Sequence, residues 1–559
     1  MLNISSTFKF SSPFKGGASF FSKNKIDLLV FLLLAIVNIF TFGLNSSKLG
    51  FYADDPSFLL TLGGTVDFHF LLNEIKSYVP GRNLHILWQY ICIKIAGGGS
   101  LSDLPTLHFI QTSFDILNSW LLYVLLRSIK ISFPSAFCAA LVFALFPNHG
   151  ETHFWPSALP MNLISTSLIL VLMVYSASIF RGEASKTKKM FGLRWVIYWF
   201  VYIAAIFTYD QVVVVAFGTA TLLLVLLYEK VSKNGLKLFF LWALFFVTPI
   251  LLIALLKLSA PGNGPDLGHF SVTHMLLTVL YSLGIWVFVW IKFLFFPIFD
   301  IGSIETTVIA LFIATASMLT LIYCFRNQKN VLSRSDSSQL NIRPVNFSKK
   351  YLLFFGICFF MCAYLPNYIW SIASRHNYLP SIGVAIIIAS LLDTFTLKAS
   401  SSKMIKFVII FALGLVSFNF SYLDILEKNF WIKSFEFRSA LYGDLVKSPP
   451  KPSQKTLIFW EFPSSLYPIY KLKLPEGVSR YLRLMIGSIA PPPSFLFYEQ
   501  PTAFSMYSKD LSRFEIISWH PIQTQEGFII KNERRWGFDA MVFSPKSDVL
   551  CISYDKYKD

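Results

Sequence analysis

Charge is what this chain has least of. Charged residues make up only 14% of the 559 positions, whereas a soluble domain needs roughly 25% to cover its surface. An ordinary water-soluble enzyme is therefore excluded. Cysteine is sparse as well: Cys92, Cys138, Cys324, Cys358, Cys362 and Cys551 fall mostly in apolar stretches, so no disulfide framework is implied. The chain has no glycine-rich phosphate loop, no Cys/His pattern at zinc-ligand spacing and no internal repeat. Acidic residues number 31 against 48 Lys and Arg, a net charge of +17. That excess does not mean nucleic acid, because the basic residues sit in short segments between apolar runs, as the positive-inside rule requires of cytoplasmic loops.

What the chain does have is apolar length. Hydrophobic residues make up 54% of it and aromatic residues 17%, gathered in runs of about 20, enough to cross a ~30 Å hydrocarbon core. Lys9, Lys15, Lys23 and Lys25 precede the first run, with no small-residue cleavage site after it. The expectation is a retained first span at 26–44 with residues 1–25 cytoplasmic. Further spans are expected at 106–126, 134–147, 161–180, 195–208, 212–228, 238–257, 303–324, 351–370, 378–396 and 404–421. The fold class is thus an all-α polytopic membrane protein with about eleven crossings. Segment 272–296 is read as re-entrant or lying along the outer face, because a crossing there would put the basic stretch Arg326–Lys350 outside. The transmembrane domain is taken as 26–421, with outer loops at 45–104 and 148–160. Residues 422–559 are a small extracytoplasmic domain, rich in Pro (Pro449, Pro450, Pro452, Pro491–Pro493). Alternating runs at Thr456–Trp460, Phe514–Trp519 and Met541–Ser544 make it α/β or β-rich. With no retention signal of the eukaryotic kind, a bacterial inner membrane is expected.

Four polar stretches fall on the outer side. Asp54 and Asp55 stand side by side just after the first span. One can act as general base on an acceptor hydroxyl while the other positions the acceptor or helps hold a divalent ion; the plainer reading is a solvated turn. Arg82 either clamps a phosphate or anchors an interfacial helix to headgroups. His149, Glu151, His153 and Trp155 can bind a metal, a diphosphate or a sugar face, or merely sit in the aromatic belt. Arg375 and His376 open a span on the outer face, where they stabilise a departing phosphate or snorkel to headgroups. Asp210, at the tip of a tight outer hairpin, is a weaker candidate, and Asp115 is one of few charges inside a span.

Taken together, these stretches resemble the GT-C superfamily of polyprenyl-phosphate-sugar-dependent glycosyltransferases, and within it the transmembrane O-mannosyltransferases that carry C-terminal TPR repeats. Tyr52-Ala53-Asp54-Asp55 looks like the acidic pair of that superfamily's first outer loop, and Gly81-Arg82-Asn83-Leu84 is similar to an Arg-Pro-Leu element, with Asn83 in place of Pro. Phe146-Pro147-Asn148-His149-Gly150-Glu151 followed by Trp155 looks like a His-Pro-x-His-x-Glu-x-x-x-Trp loop, with Phe146 for the first His. Ser374-Arg375-His376-Asn377-Tyr378-Leu379-Pro380-Ser381-Ile382-Gly383 resembles Glu-Arg-Tyr-x-Tyr-Leu-Pro-Ser-x-Gly, with Ser374 for the Glu. An Arg and an Asp expected after the Trp are missing, Asn162 being the nearest polar residue, and so are the TPR repeats.

The resemblance implies an inverting transfer of a sugar from a polyprenyl-phosphate donor to a hydroxyl of a protein, glycan or lipid acceptor. Asp54 or Asp55 would be the base, and Arg82, Arg375 and His376 would hold the donor phosphate. The sequence identifies no cofactor, and a divalent cation, Mg or Mn, is compatible with the acidic pair. The competing expectations are a transporter or flippase of lipid-linked sugars and a catalytically inactive scaffold, in either case in contact with membrane lipid.

Overall fold

The structure is a computed structural model. It describes residues 25–51, 55–64, 66–77, 81–147, 149–180, 193–230, 240, 242–259, isolated helical positions between 276 and 290, 304–335, 349–368, 374–398, 402–447 and six short strands between 456 and 553. The chain runs α1 (Lys25–Asn38, extended by a π-turn to Gly43), then three helices in the connection to the second span: α2 (Asp55–Gly63), α3 (Phe68–Ser77) and α4 (Asn83–Ala96). It continues through α5 (Leu104–Ser128), α6 (Phe133–Ala144), the short α7 (Gly150–Phe154) and α8 (Ser165–Phe180). Then come α9 (Leu193–Ile206), α10 (Gln211–Lys230), α11 (Thr248–Ser259), α12 (Ile304–Ser335), α13 (Lys349–Tyr364), α14 (Tyr378–Lys398) and α15 (Lys403–Lys447).

Six of these helical stretches are long and apolar enough to cross a membrane: Lys25–Lys48, Leu101–Ser128, Leu159–Ser178, Ile304–Arg326, Arg375–Phe395 and Lys403–Lys433. The protein is an integral membrane protein of the all-α polytopic class. Five shorter apolar helices (Phe133–Ala144, Trp195–Ile206, Gln211–Thr221, Ala243–Leu256 and Tyr351–Tyr364) fall at the remaining expected spans. The first span has two faces. On α1, Ile26, Val30, Leu33, Leu34 and Val37 are buried while Leu28, Leu32 and Ile36 are 37–48% exposed. Spacing of three to four residues keeps each set on one side of the helix, and an exposed apolar stripe of this kind belongs against lipid.

The helices pack α13 against α14, α12 against α15, α6 against α14, and α5 against both α6 and α8. At the α13–α14 crossing two glycines allow the backbones to touch: a Cβ on Gly383 would sit 2.7 Å from the Gly356 carbonyl oxygen and 2.7 Å from the Phe360 nitrogen. Small residues at a crossing let membrane helices approach closely enough for dense packing.

Two features differ from the expected layout. The last helix does not stop near residue 421; α15 is unbroken over 45 residues. Its continuation is buried in the protein: Tyr422, Leu423, Ile425, Trp431 and Ile432 are all buried, and Glu427 lies against Gly150 of the loop after α6. The third expected span is only the 12 residues of α6, about 18 Å at 1.5 Å per residue. Segment 272–296 lies largely outside the described residues. Of it, Trp286 stacks on Phe146 with ring centroids 4.2 Å apart and donates to the Tyr364 hydroxyl at 2.7 Å.

After α15 the described elements are strands β1 (Thr456–Trp460), β2 (Ile516–Ser518), β3 (Ile522–Gln523), β4 (Gly527–Glu533), β5 (Asp539–Pro545) and β6 (Val549–Ser553). They pair as a parallel β2-β1-β6 sheet and an antiparallel β3-β4-β5 sheet. The three runs of alternating residues in the sequence coincide with β1, β2 and β5.

Candidate functional site

The site is organised by the loop after α6, every second residue of which reaches a different part of the protein. Glu151 accepts a hydrogen bond from Arg375 Nη1 at 2.7 Å, forming an ion pair in which the arginine side chain is 26% exposed and the glutamate 6%. His153 turns the other way, its Nδ1 lying 3.0 Å from Asp115 Oδ2 on α5. Trp155 lies under the Arg375 guanidinium, 5.0 Å from its carbon to the ring centre, a cation–π contact that fixes the plane of the fork. Ser157 donates both its main-chain N–H, at 2.8 Å, and its hydroxyl to Asp55 Oδ1. Asp55 is the first residue of α2 and is 1% exposed, so it ties the connection after α1 to the loop after α6. Asp54 lies outside the described residues.

The loop is held from beneath by a polar stripe on α5. His108, Gln111, Asp115 and Asn118 are all buried, at a spacing that places them along one side of a helix. Gln111 Nε2 donates to the carbonyls of Thr152 and Trp155, at 3.3 and 2.9 Å. Asn118 Nδ2 donates to the Leu163 carbonyl and to the Tyr378 hydroxyl, and that hydroxyl in turn donates to Asp115 Oδ1 at 3.1 Å. Asn162 donates to Thr152 Oγ1. A satellite core of Phe42, Leu49, Phe154, Trp155, Ala158, Trp431 and Ile432 fills the space below, with His153 stacked on Phe42 at 3.8 Å. Gly150 leaves room for Glu427 of α15: a Cβ there would lie 1.6 Å from Glu427 Oε1, so any side chain would have to displace that carboxylate.

A second ion pair lies nearby. Arg82, at the start of α4, meets Asp210 Oδ2 through Nε at 2.8 Å and through Nη2 at 2.7 Å, and its guanidinium carbon stands 4.9 Å from the Tyr209 ring centre. Tyr209 links the two pairs. Burial raises its hydroxyl pKa, and both Arg82 and Arg375 stand close enough to oppose that rise. His376 is buried and its carbonyl accepts from Gln211 Nε2 at 2.8 Å. Asp55, the 149–157 loop and Arg375 are thus directly joined, with Arg82 beside them across Tyr209.

No protein-family model matches the chain, and no curated protein matches it at a significant level.

The His149–His153 loop does not gather metal ligands. Glu151 is committed to Arg375 and His153 to Asp115, and among the described residues no three His, Cys, Asp or Glu side chains are placed to hold a metal ion. Three residues with a part in the site escaped the sequence reading: Ser157, Gln111 and Asn118. For the last two a signal was present, in polar residues recurring every three to four positions through a span otherwise apolar.

Two buried histidines in the connections between spans give the fold a pH limit. His149 is fully buried, and among the described residues neither ring nitrogen has a hydrogen-bond partner. Burial holds its pKa well below the usual 6.5, with the neighbouring His153 adding; the Asn377 main chain opposes the shift without reaching hydrogen-bond geometry. His85 on α4 is pushed down to about 3, by burial first and then by the charge of Arg82. Both are neutral in the folded protein where an unfolded chain, with a histidine pKa near 6.5, takes up a proton. Their contribution is present above about pH 6.5 and is lost as pH falls toward the folded values. We expect the unfolding free energy in lipid nanodiscs to drop between pH 6.5 and 5, with a slope approaching about 1.4 kcal/mol per pH unit for each histidine. His149→Gln and His85→Gln should each flatten that profile. An unchanged slope in both variants would place the acid sensitivity elsewhere.

Proposed function

We propose that the protein is a glycosyltransferase of the GT-C type, transferring a sugar from a polyprenyl-phosphate carrier to an acceptor hydroxyl on the extracytoplasmic face. One observation carries the reading: a single nine-residue loop, 149–157, binds Arg375 through Glu151 and Asp55 through Ser157. The stretch expected to hold the donor's phosphate and the stretch expected to activate the acceptor therefore share one support. In this reading the five shorter apolar helices also cross, making eleven crossings, and that loop and the chain beyond residue 421 lie on one extracytoplasmic side, the strands after α15 forming a separate domain there. In this topology the cytoplasm holds residues 1–25, and a bacterial inner membrane suits the arrangement.

The reaction is a single displacement with inversion. A carboxylate accepts the proton of the acceptor hydroxyl; the acceptor oxygen bonds to the anomeric carbon as the bond to the phosphate oxygen breaks; and the charge left on polyprenyl phosphate is met by guanidinium groups. Asp55, buried and bound twice by Ser157, fits the part of positioning the loop. The role of base then goes to Asp54, beside it in sequence. Arg375 and Arg82 are each about a quarter exposed, so a headgroup arriving from the membrane surface can reach them. Both are matched by a carboxylate at rest, which keeps the patch close to neutral until the phosphate competes for the forks.

The test is release of radiolabelled sugar from a panel of polyprenyl-phosphate donors by purified protein in lipid, with a crude membrane extract as acceptor. Release that depends on Asp54 and Arg375 supports the reading. No consumption of any donor by a folded protein would sink it and favour a transporter or an inactive scaffold.

A further inference from the structure

A carboxylate inside a membrane span is expensive, and a buried ion pair is seldom more stable than an apolar pair of the same size. Asp115 of α5 is 1% exposed and lies within the candidate span Leu101–Ser128. What it supplies is geometry, since its two oxygens serve two different segments. Oδ2 pairs with His153 Nδ1 at 3.0 Å, both side chains being 2% exposed. Oδ1 accepts from the Tyr378 hydroxyl at 3.1 Å.

The two segments it joins already meet above it. His153 follows Glu151 by two residues, and Tyr378 follows Arg375 by three. The loop and the arginine segment are therefore connected by two rungs. The upper one, Glu151–Arg375, is partly open to solvent; the lower one, His153–Asp115–Tyr378, is closed off. The lower rung is braced in turn: Asn118 donates to the same tyrosine hydroxyl at 3.2 Å, and the Ser119 hydroxyl donates to the Asp115 carbonyl at 2.8 Å. The side of the loop facing α15 is also occupied, by Glu427 against Gly150. With one wall fixed by α15 and the floor by α5, the separation of the loop from Arg375 has little freedom left.

We propose that Asp115 is a positioning residue: by binding His153 and Tyr378 together it sets the distance between loop 149–157 and the Arg375 segment, and through that distance the affinity of Arg375 for the phosphate of the lipid carrier. The second half of this statement rests on the glycosyl-transfer reading; the clamp itself does not.

The experiment has two arms, both on the full chain in lipid nanodiscs. In the first, hydrogen–deuterium exchange is followed in peptides covering 149–158 and 374–380, for Asp115→Asn and for the milder Tyr378→Phe. Exchange should rise at least tenfold in both peptides for Asp115→Asn and by less for Tyr378→Phe, with α12 unchanged. Exchange that rises in only one of the two peptides, or in neither, overturns the clamp. Should Asp115→Asn loosen the whole protein, Tyr378→Phe decides by the same criterion.

In the second arm, binding of polyprenyl phosphate without sugar is measured in wild type, Asp115→Asn, Arg375→Ala and the double variant. Asp115→Asn should weaken binding about tenfold on its own and add nothing once Arg375 is gone, the signature of action through the arginine. Equal losses in both backgrounds would reduce Asp115 to a general structural role. A wild type that binds no carrier would defeat the glycosyl-transfer reading instead, and the first arm would then settle the clamp alone.

Discussion

Arg375→Ala is expected to cut transfer of sugar from a polyprenyl-phosphate donor by roughly 10²–10³-fold, the usual loss when one preorganised donor to developing charge is removed. It should also destabilise the protein, because Glu151 would be left buried without its cation. A fully buried pair broken on one side costs about 3–5 kcal/mol; here the cost should be nearer 2, since the arginine is 26% exposed and its charge is partly screened by water. The two effects separate in the double variant Arg375→Ala with Glu151→Gln, which removes the stranded charge. Stability should return toward wild type while transfer stays low. Arg375→Lys is the complementary control: it keeps the charge but loses the planar fork that stands over Trp155, and it should recover only part of the rate. If the double variant transfers sugar normally, Arg375 is a structural cation and the phosphate is met elsewhere.

Asp54→Asn should lower single-turnover transfer by about 10²–10⁴-fold with little change in carrier binding, as expected when a general base is neutralised and the donor contacts remain. Asp55→Asn should be much milder, about tenfold or less, because an amide oxygen can still accept both hydrogen bonds from Ser157. Asp55→Ala removes that acceptor and frees the loop, so it should weaken carrier binding as well as rate. The order of the three variants carries the information. A dead Asp55→Asn beside an active Asp54→Asn would transfer the role of base to Asp55, and no loss in either would remove the acidic pair from the chemistry.

The architecture was legible because period and length are properties of the sequence itself. Runs of about 20 apolar residues gave the long spans, and the alternation in Thr456–Trp460 gave β1. The end of α15 was hidden, since the run of charges from Asp424 through Lys428 reads as the exit from a membrane, whereas the fold buries Asp424, Glu427 and Lys428, with Glu427 against Gly150 and Lys428 on the Phe40 carbonyl. Within the site, the sequence offered the candidate residues but not their partners. Arg82 as a phosphate clamp and Asp210 as a hairpin tip are separate observations on paper; in space they are one ion pair. Asp115, plain in the sequence as a charge inside a span, has a meaning only once His153 and Tyr378 are seen on either side of it. Pairings between residues hundreds of positions apart follow from packing, which no local pattern encodes.

The unbroken course of α15 has a mechanical consequence. A helix of 45 residues is about 67 Å long at 1.5 Å per residue, more than twice the ~30 Å of the hydrocarbon core. Its outer part is therefore locked in phase with its membrane part. Adding one residue between Leu415 and Phe420 would turn everything beyond by about 100° and advance it by about 1.5 Å, swinging Glu427 from Gly150 and Trp431 out of the core beneath the loop. Three or four added residues would restore the facing but not the height. The site is thereby indexed to the membrane-spanning helices through the angular register of one rod.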